Sequence, residues 1–181
     1  MTPKTMKAAV LTAFGAPDVI RIAPRSVPTV SANQVLVRNI TTSLNSGDVR
    51  IRSKNVPQGF KFLVSLVFGF RQPRKEVLGT VFAGEIVETG ANVSSFKVGG
   101  LVFGSTEMAM ATHAEYIAVK ETQAIALIPE GYSPQAMASL VFGGSTAIFF
   151  ADKLDLKKGD RILINAAAGS VGISLVQIAS A

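Results

Sequence analysis

With 181 residues, 48% of them apolar, the chain is long enough for one good core, or for one domain and part of another, and too apolar for disorder. It has no cysteine and a single histidine, His113, which excludes disulfides, thiolate metal sites and any histidine cluster within one chain. The net charge of +6 comes from scattered basic residues, with small groups at Arg50, Arg52 and Lys54 and at Arg71, Arg74 and Lys75, so a solvated basic surface is expected rather than a nucleic-acid groove.

The first two thirds reads as β-rich. Met6–Phe14, Gln34–Asn45, Phe82–Gly90, Leu101–Gly104 and Ala114–Leu127 carry β-branched residues in roughly alternating patterns, and "GAPD", "TGAN" and "KVGG" punctuate them. Short strands at such spacing predict a small barrel or sandwich. One helical insertion is expected around Phe60–Phe70. That run, and the charge-free Ala136–Ala151, fall short of the roughly 20 apolar residues of a membrane span, so both are expected to be buried helices with no membrane partner. "MTPKTMKAAV" at the N-terminus lacks the apolar core of a signal peptide.

The texture changes at "IPEGYSPQAMASL", where Ser133 is a plausible N-cap and Pro134 suits the first helical turn. A helix, a break at Gly143-Gly144 and a second helix to about Leu154 are expected from there. "LKKGD" reads as a turn, "RILIN" (Arg161–Asn165) as a short buried strand, and "SVGISLVQIAS" as an apolar helix, which together make strand, turn and helix, one unit of an α/β fold.

Between Asn165 and Val171 no side chain is larger than serine. Such a turn lets a pyrophosphate approach backbone N–H groups at a helix N-terminus, and Gly172 would let the helix pack close to the strand. Ala167 stands where the first glycine of G-x-G-x-x-G belongs. By itself the motif fits a tight strand-to-helix turn of any α/β protein as well as a cofactor loop.

Taken in order, "MKAAVLTAFGAPDVIRI", "SLNSGDVRIR", "LGTVFAGEIVETGANVSSFKVGGLVFG", "HAEYIAV" and "FGGSTAIFFADKLDLKKGDRILINAAAGSVGISLVQIA" resemble the medium-chain dehydrogenase/reductase superfamily, in particular its zinc-independent quinone oxidoreductase and NAD(P)-dependent alcohol-dehydrogenase-like branch. The resemblance implies a mainly β fold with an α/β tail: a GroES-like, partly open β-barrel over residues 1–130, followed over 131–181 by interdomain helices and the beginning of a Rossmann domain. It implies NADPH or NADH as cofactor, with NADP slightly favoured, and hydride transfer to a small apolar carbonyl, quinone or enone. A homo-oligomer in the cytoplasm, binding no nucleic acid, completes the expectation. The alternative is a catalytically inactive GroES-like module that associates through its C-terminal helices.

Family position also implies roles for single residues. Asn45 looks like the asparagine beside the nicotinamide, with a turn-forming asparagine as the other reading; Asp48 is read as a helix cap. Thr146 in "GGSTA" corresponds to a threonine near the nicotinamide or its phosphates, or is a buried helix hydroxyl. Ala167, Ala168, Gly169, Ser170 and Val171 match the pyrophosphate loop. Tyr116 and His113 are read as packing residues, and Arg50 and Arg52 as solvated or structural. Zinc-dependent relatives place a cysteine at Asn45 and a His-Glu pair at Thr80 and Val81, so no metal is expected. Zinc-free relatives often show aspartate at Val81 and again at Gly100; each change removes a polar group that could anchor a loop. Relatives are far longer, so the chain is expected to be a truncated form whose selector of NAD or NADP, about 20 residues past the glycine loop, lies beyond Ala181.

Overall fold

The structure is a computed structural model and describes residues 2–180. Its strands are β1 (Thr5–Leu11), β2 (Ile20–Ser26), β3 (Gln34–Ser43), β4 (Val81–Thr89), β5 (Leu101–Ser105), β6 (Tyr116–Lys120) and β7 (Ala124–Leu127). The helices are α1 (Ser46–Ser53), α2 (Lys61–Phe68), α3 (Pro134–Leu154) and α4 (Ser170–Ser180). Five strands form an antiparallel sheet in the order β6-β3-β4-β5-β7, and β1 pairs with β2 as a separate hairpin. A register shift between Leu36 and Val37 leaves an extra residue on β4, Val87, and one between Asn39 and Thr41 leaves an extra residue on β3, Ile40. Such bulges bend and twist a strand, and the sheet curls into an open half-barrel. Single bridges, Ala8 to Ala114 and Val10 to Val77, fasten the hairpin to it.

Burial alternates cleanly along β6, whereas Val35–Val37 of β3 and Val81–Gly84 of β4 are buried on both faces of the sheet. Val35, Val37, Phe82, Ile86, Val102, Ile117 and Val119 meet in one core on the concave side. A second, smaller cluster joins Val81 and Ala83 of β4 to Ala138 of α3, with Phe103, Ile128 and Val141 packed around it. This seats α3 against the sheet and fixes where the C-terminal helices begin. Ser133 caps α3 as expected, its hydroxyl accepting from the Ala136 N–H at 3.2 Å, with Pro134 in the first turn. Ser133→Ala is expected to lower stability by about 1 kcal/mol, read as a shift in the urea midpoint at constant m-value.

Five expectations are corrected. Ile20–Ser26 is a strand that the sequence reading left out; Pro24 sits in it because β2 is an edge, where a missing N–H costs no ladder bond. Ala114–Leu127 divides into β6 and β7 around a turn in which Gln123 N–H donates to Lys120 O. No break occurs at Gly143-Gly144: α3 runs unbroken through both. Gly143 is there for proximity, since a Cβ on it would lie 2.4 Å from the Ser170 carbonyl oxygen where α4 begins.

Arg161–Asn165 is not a strand. A buried parallel strand needs neighbours for its N–H and C=O groups, and every strand present belongs to the antiparallel sheet or the hairpin. Leu163 is 97% exposed, with Ile162, Val176 and Ile178 also exposed. The two apolar runs are helical but not buried. α2 buries only Phe68, and α3 buries only Ala138, Gly143 and Ala147 while Phe142, Ile148, Phe149 and Phe150 face outward. Among the described residues α3, at 21 residues, is long and apolar enough to cross a membrane by length and composition alone.

Candidate functional site

The end of β3 and the start of β4 build a polar cluster beneath α1. Asn45 is the N-cap of α1, its Oδ1 accepting from the Gly47 N–H at 2.7 Å. Asp48 closes the capping box by accepting the Asn45 N–H on Oδ2 at 3.0 Å, so it caps as the sequence suggested. Its other oxygen accepts the Gly79 N–H at 3.0 Å. One buried carboxylate therefore ties the Asn45 turn to the segment entering β4.

His113 completes the cluster. Thr42 donates its hydroxyl proton to Val81 O at 2.7 Å, which leaves its lone pairs facing Thr112 Oγ1 at 3.0 Å and His113 Nδ1 at 3.1 Å. A hydrogen on Nδ1 satisfies that contact. Nε2 is buried without a hydrogen bond of ordinary length and lies 3.5 Å from Asp48 Oδ1, an ion-pair distance. Burial pushes the Asp48 carboxyl up, but the neighbouring His113 ring and the N–H groups of Asn45 and Gly79 outweigh it and hold it below the ordinary 3.8. His113 is thus part of a polar network rather than plain packing. Nothing in its "THAEY" context marks this, because Thr42 and Asp48 reach it from other elements.

Asn45 Nδ2 points at Thr80 Oγ1, 3.4 Å away. These two positions, where zinc-dependent relatives carry metal ligands, are side by side here, but an amide and an alcohol are poor ligands for zinc, and Val81 is buried. No group of three or more His, Cys, Asp or Glu able to hold a metal occurs among the described residues.

The small-residue turn lies beside the middle of α3, where Gly143 meets Ser170. Ala167, Ala168, Gly169 and Ser170 are exposed, and Val171 is half-buried. The left-handed residue is Ala166 (φ 56°), whose N–H donates to Asn165 Oδ1 at 2.9 Å. Gly172 is buried because a Cβ there would lie 2.4 Å from Ala166 O; the helix packs close to this turn, not to a strand. Gly169 O accepts the Ile173 N–H at 2.8 Å, which starts α4 with its first-turn N–H groups at the open turn. Thr146 sits one helical turn beyond Gly143 on α3, its hydroxyl donating to Phe142 O at 2.7 Å and keeping free lone pairs. Gly143, one helical turn before Thr146, is the residue of α3 that meets the turn, at Ser170. Asn45 belongs to the separate cluster, connected to α3 through Thr80, Val81 and Ala138. Arg52 is structural, donating to Gly15 O.

Residues 31–130 match the model of the alcohol dehydrogenase GroES-like domain. The chain belongs to that family. Among curated relatives of this GroES-like chain, the 2-methylene-furan-3-one reductase of Solanum lycopersicum is 30% identical over 98% of the chain and 45% of its own length. The mitochondrial NAD(P)H oxidoreductase RTN4IP1 of Dictyostelium discoideum is 31% identical over 84% of the chain and 42% of its length. The solved quinone oxidoreductase of Coxiella burnetii superposes with a TM-score of 0.87 at 30% identity, covering 98% of the chain and 54% of that structure. The GroES-like chain thus spans about half the length of the relatives it matches. Its fold, a half-barrel followed by helical segments resembling part of a Rossmann unit, is the one expected from the sequence.

Proposed function

We propose that residues 1–130 form the substrate-side domain of a zinc-independent NAD(P)H-dependent oxidoreductase and that 131–181 open its nucleotide-binding domain. The carrying observation is the turn from Ala166 to Gly172, solvent-open and lined by small side chains, which presents the N-terminus of α4. Gly172 lets the turn close tightly and the exposed alanines leave the backbone accessible, so the residues present fit a pyrophosphate. Ala167, Ala168, Gly169, Ser170 and Val171 would hold the pyrophosphate by backbone N–H groups, and Thr146 would accept or donate one hydrogen bond beside them. Asn45, through the Nδ2 face now turned to Thr80, would position the nicotinamide amide or the substrate oxygen. The nicotinamide, when bound, supplies the hydride; the protein positions it and excludes water. The printed activities of the relatives support small apolar quinones, enones and carbonyls as the substrate class and a nicotinamide cofactor; NADPH, slightly favoured over NADH, is the finer part of the proposal.

Titration of the chain with NADPH and NADH, followed by nicotinamide fluorescence, tests this reading. Saturable binding in the micromolar range is expected, and Ala168→Asp, which sets a carboxylate against the pyrophosphate, should weaken it by about tenfold or more. Absence of binding up to millimolar nucleotide would overturn it. The outward apolar side chains of α3 and α4, Ile148, Phe149, Phe150 and Ile173, favour one other reading, a module without turnover that associates through these helices. A concentration-dependent solution mass without nucleotide binding would select it.

A further inference from the structure

The positive excess of this protein falls in one stretch of sequence centred on an exposed apolar helix. From Val49 to Lys75 there is no acidic residue, and the seven basic ones (Arg50, Arg52, Lys54, Lys61, Arg71, Arg74 and Lys75) exceed the net charge of the entire chain. In the middle of that stretch α2 turns its apolar stripe outward. Phe62, Leu63, Leu66, Val67 and Phe70 follow one another at helical spacing and are all exposed, Phe62 by 68%. Phe62 and Phe70 stack edge to face with ring centroids 6.0 Å apart, which keeps the stripe continuous past the helix end.

The fold brings the cations to both ends of this stripe. Lys54 and Lys61 line one small cavity beside the start of α2, and Lys54 also donates to Phe70 O at 2.5 Å. Gly69 (φ 109°) reverses the chain so tightly that a Cβ would lie 2.0 Å from Gln72 O, and the reversal lays Arg74 alongside the helix. Arg74 caps it, with its N–H on Phe68 O and its guanidinium on Leu66 O, each at 2.8 Å. The nearest following carboxylate, Glu76, is held by Arg25 at 2.5 Å, and Asp48 is buried.

We propose that this face docks reversibly on an anionic lipid surface, with the stripe of α2 in the headgroup boundary and the basic residues against lipid phosphates and carboxylates. Apolar area and juxtaposed Lys and Arg are the two signals that together hold a short interfacial helix, and no membrane span is required. A second copy of the chain is a poor occupant, because a two-fold contact through this face would set Lys54, Lys61, Arg74 and Lys75 against the same four cations. A nucleic acid would match the charge but leave Leu63, Leu66 and Val67 without an apolar partner. The inference is independent of the oxidoreductase reading, since it uses none of the residues assigned to nucleotide or substrate.

The chain has no tryptophan, so Phe62→Trp gives a single reporter on the stripe. Its emission should shift to the blue with vesicles of phosphatidylcholine mixed with phosphatidylserine, shift little with phosphatidylcholine alone, and return on adding salt. In the same background Lys61→Glu with Arg71→Glu should weaken vesicle binding by about tenfold or more, while the urea unfolding midpoint stays unchanged as the control for folding. No shift with the anionic vesicles, an equal shift with neutral ones, or retention of binding by the charge-reversed protein would overturn the proposal. So would a blue shift without lipid that grows with protein concentration, which would mean that a second copy covers the stripe.

Discussion

Asp48→Ala is expected to cost about 3–5 kcal/mol of folding stability. The loss has three parts: the Asn45 N–H and the Gly79 N–H are left without acceptors in a site where Asp48 is only 6% exposed, and His113 loses the carboxylate 3.5 Å from its ring. Equilibrium urea unfolding would read it as a fall in midpoint. Asp48→Asn should cost less, because its amide oxygen can still accept one of the two N–H groups. The pH dependence distinguishes the carboxylate from a mere shape. The folded Asp48 carboxyl is held below the ordinary 3.8, so between those values the unfolded chain binds the additional proton. Its contribution is therefore fully present above the unfolded value and is lost as pH falls through the folded one. Stability of the Asn variant should decline less than that of the parent over that acid range, and an equal decline in both would show that Asp48 is not held down by its partners.

Gly79→Ala is expected to cost about 3 kcal/mol. Two effects act together at this position. The backbone has φ 90°, which alanine adopts only with strain, and the new Cβ would lie 2.3 Å from Thr112 Oγ1 and 2.6 Å from His113 Nδ1. Two other glycines separate the contributions. Gly99 has a similar φ of 87° with open space around it, so Gly99→Ala measures backbone strain alone, about 1 kcal/mol; Gly59 has neither feature and its alanine variant should be nearly neutral. If Gly79→Ala falls no further than Gly99→Ala, the His113 ring does not press on that turn. If it falls further, the shared cost identifies Gly79 as the floor of the polar cluster.

The half-barrel was readable because its strands are short, rich in β-branched residues and separated by turn residues, and at the edge Ile117 and Val119 alternate plainly with less buried neighbours. Ser133-Pro134 was equally readable, since capping is a local interaction. Asp48 was read as a helix cap, and it is one. What escaped depends on partners distant in sequence. Gly143 can mark a break or a close approach, and only the position of Ser170 decides between them. "RILIN" has every local mark of a strand, but a strand exists only when another pairs with it. The same holds for exposure: α2 and α3 are apolar enough to be buried, and local sequence does not say what lies opposite. His113 joined the site through Thr42 and Asp48, contributed by β3 and α1, so no window of sequence contained the network. The roles of Asn45, Thr146 and the Ala167–Val171 turn toward nucleotide await the titration described above.

The contact of Gly143 with Ser170 has a thermodynamic consequence. α4 rests chiefly on α3, so the turn that would receive an anion is in place only while the two helices are docked. Undocking and binding are then linked equilibria: a measured dissociation constant equals the intrinsic one divided by the docked fraction. Saturating nucleotide would in turn hold α4 down, protecting amides such as that of Ile173 from solvent exchange although they never touch the ligand.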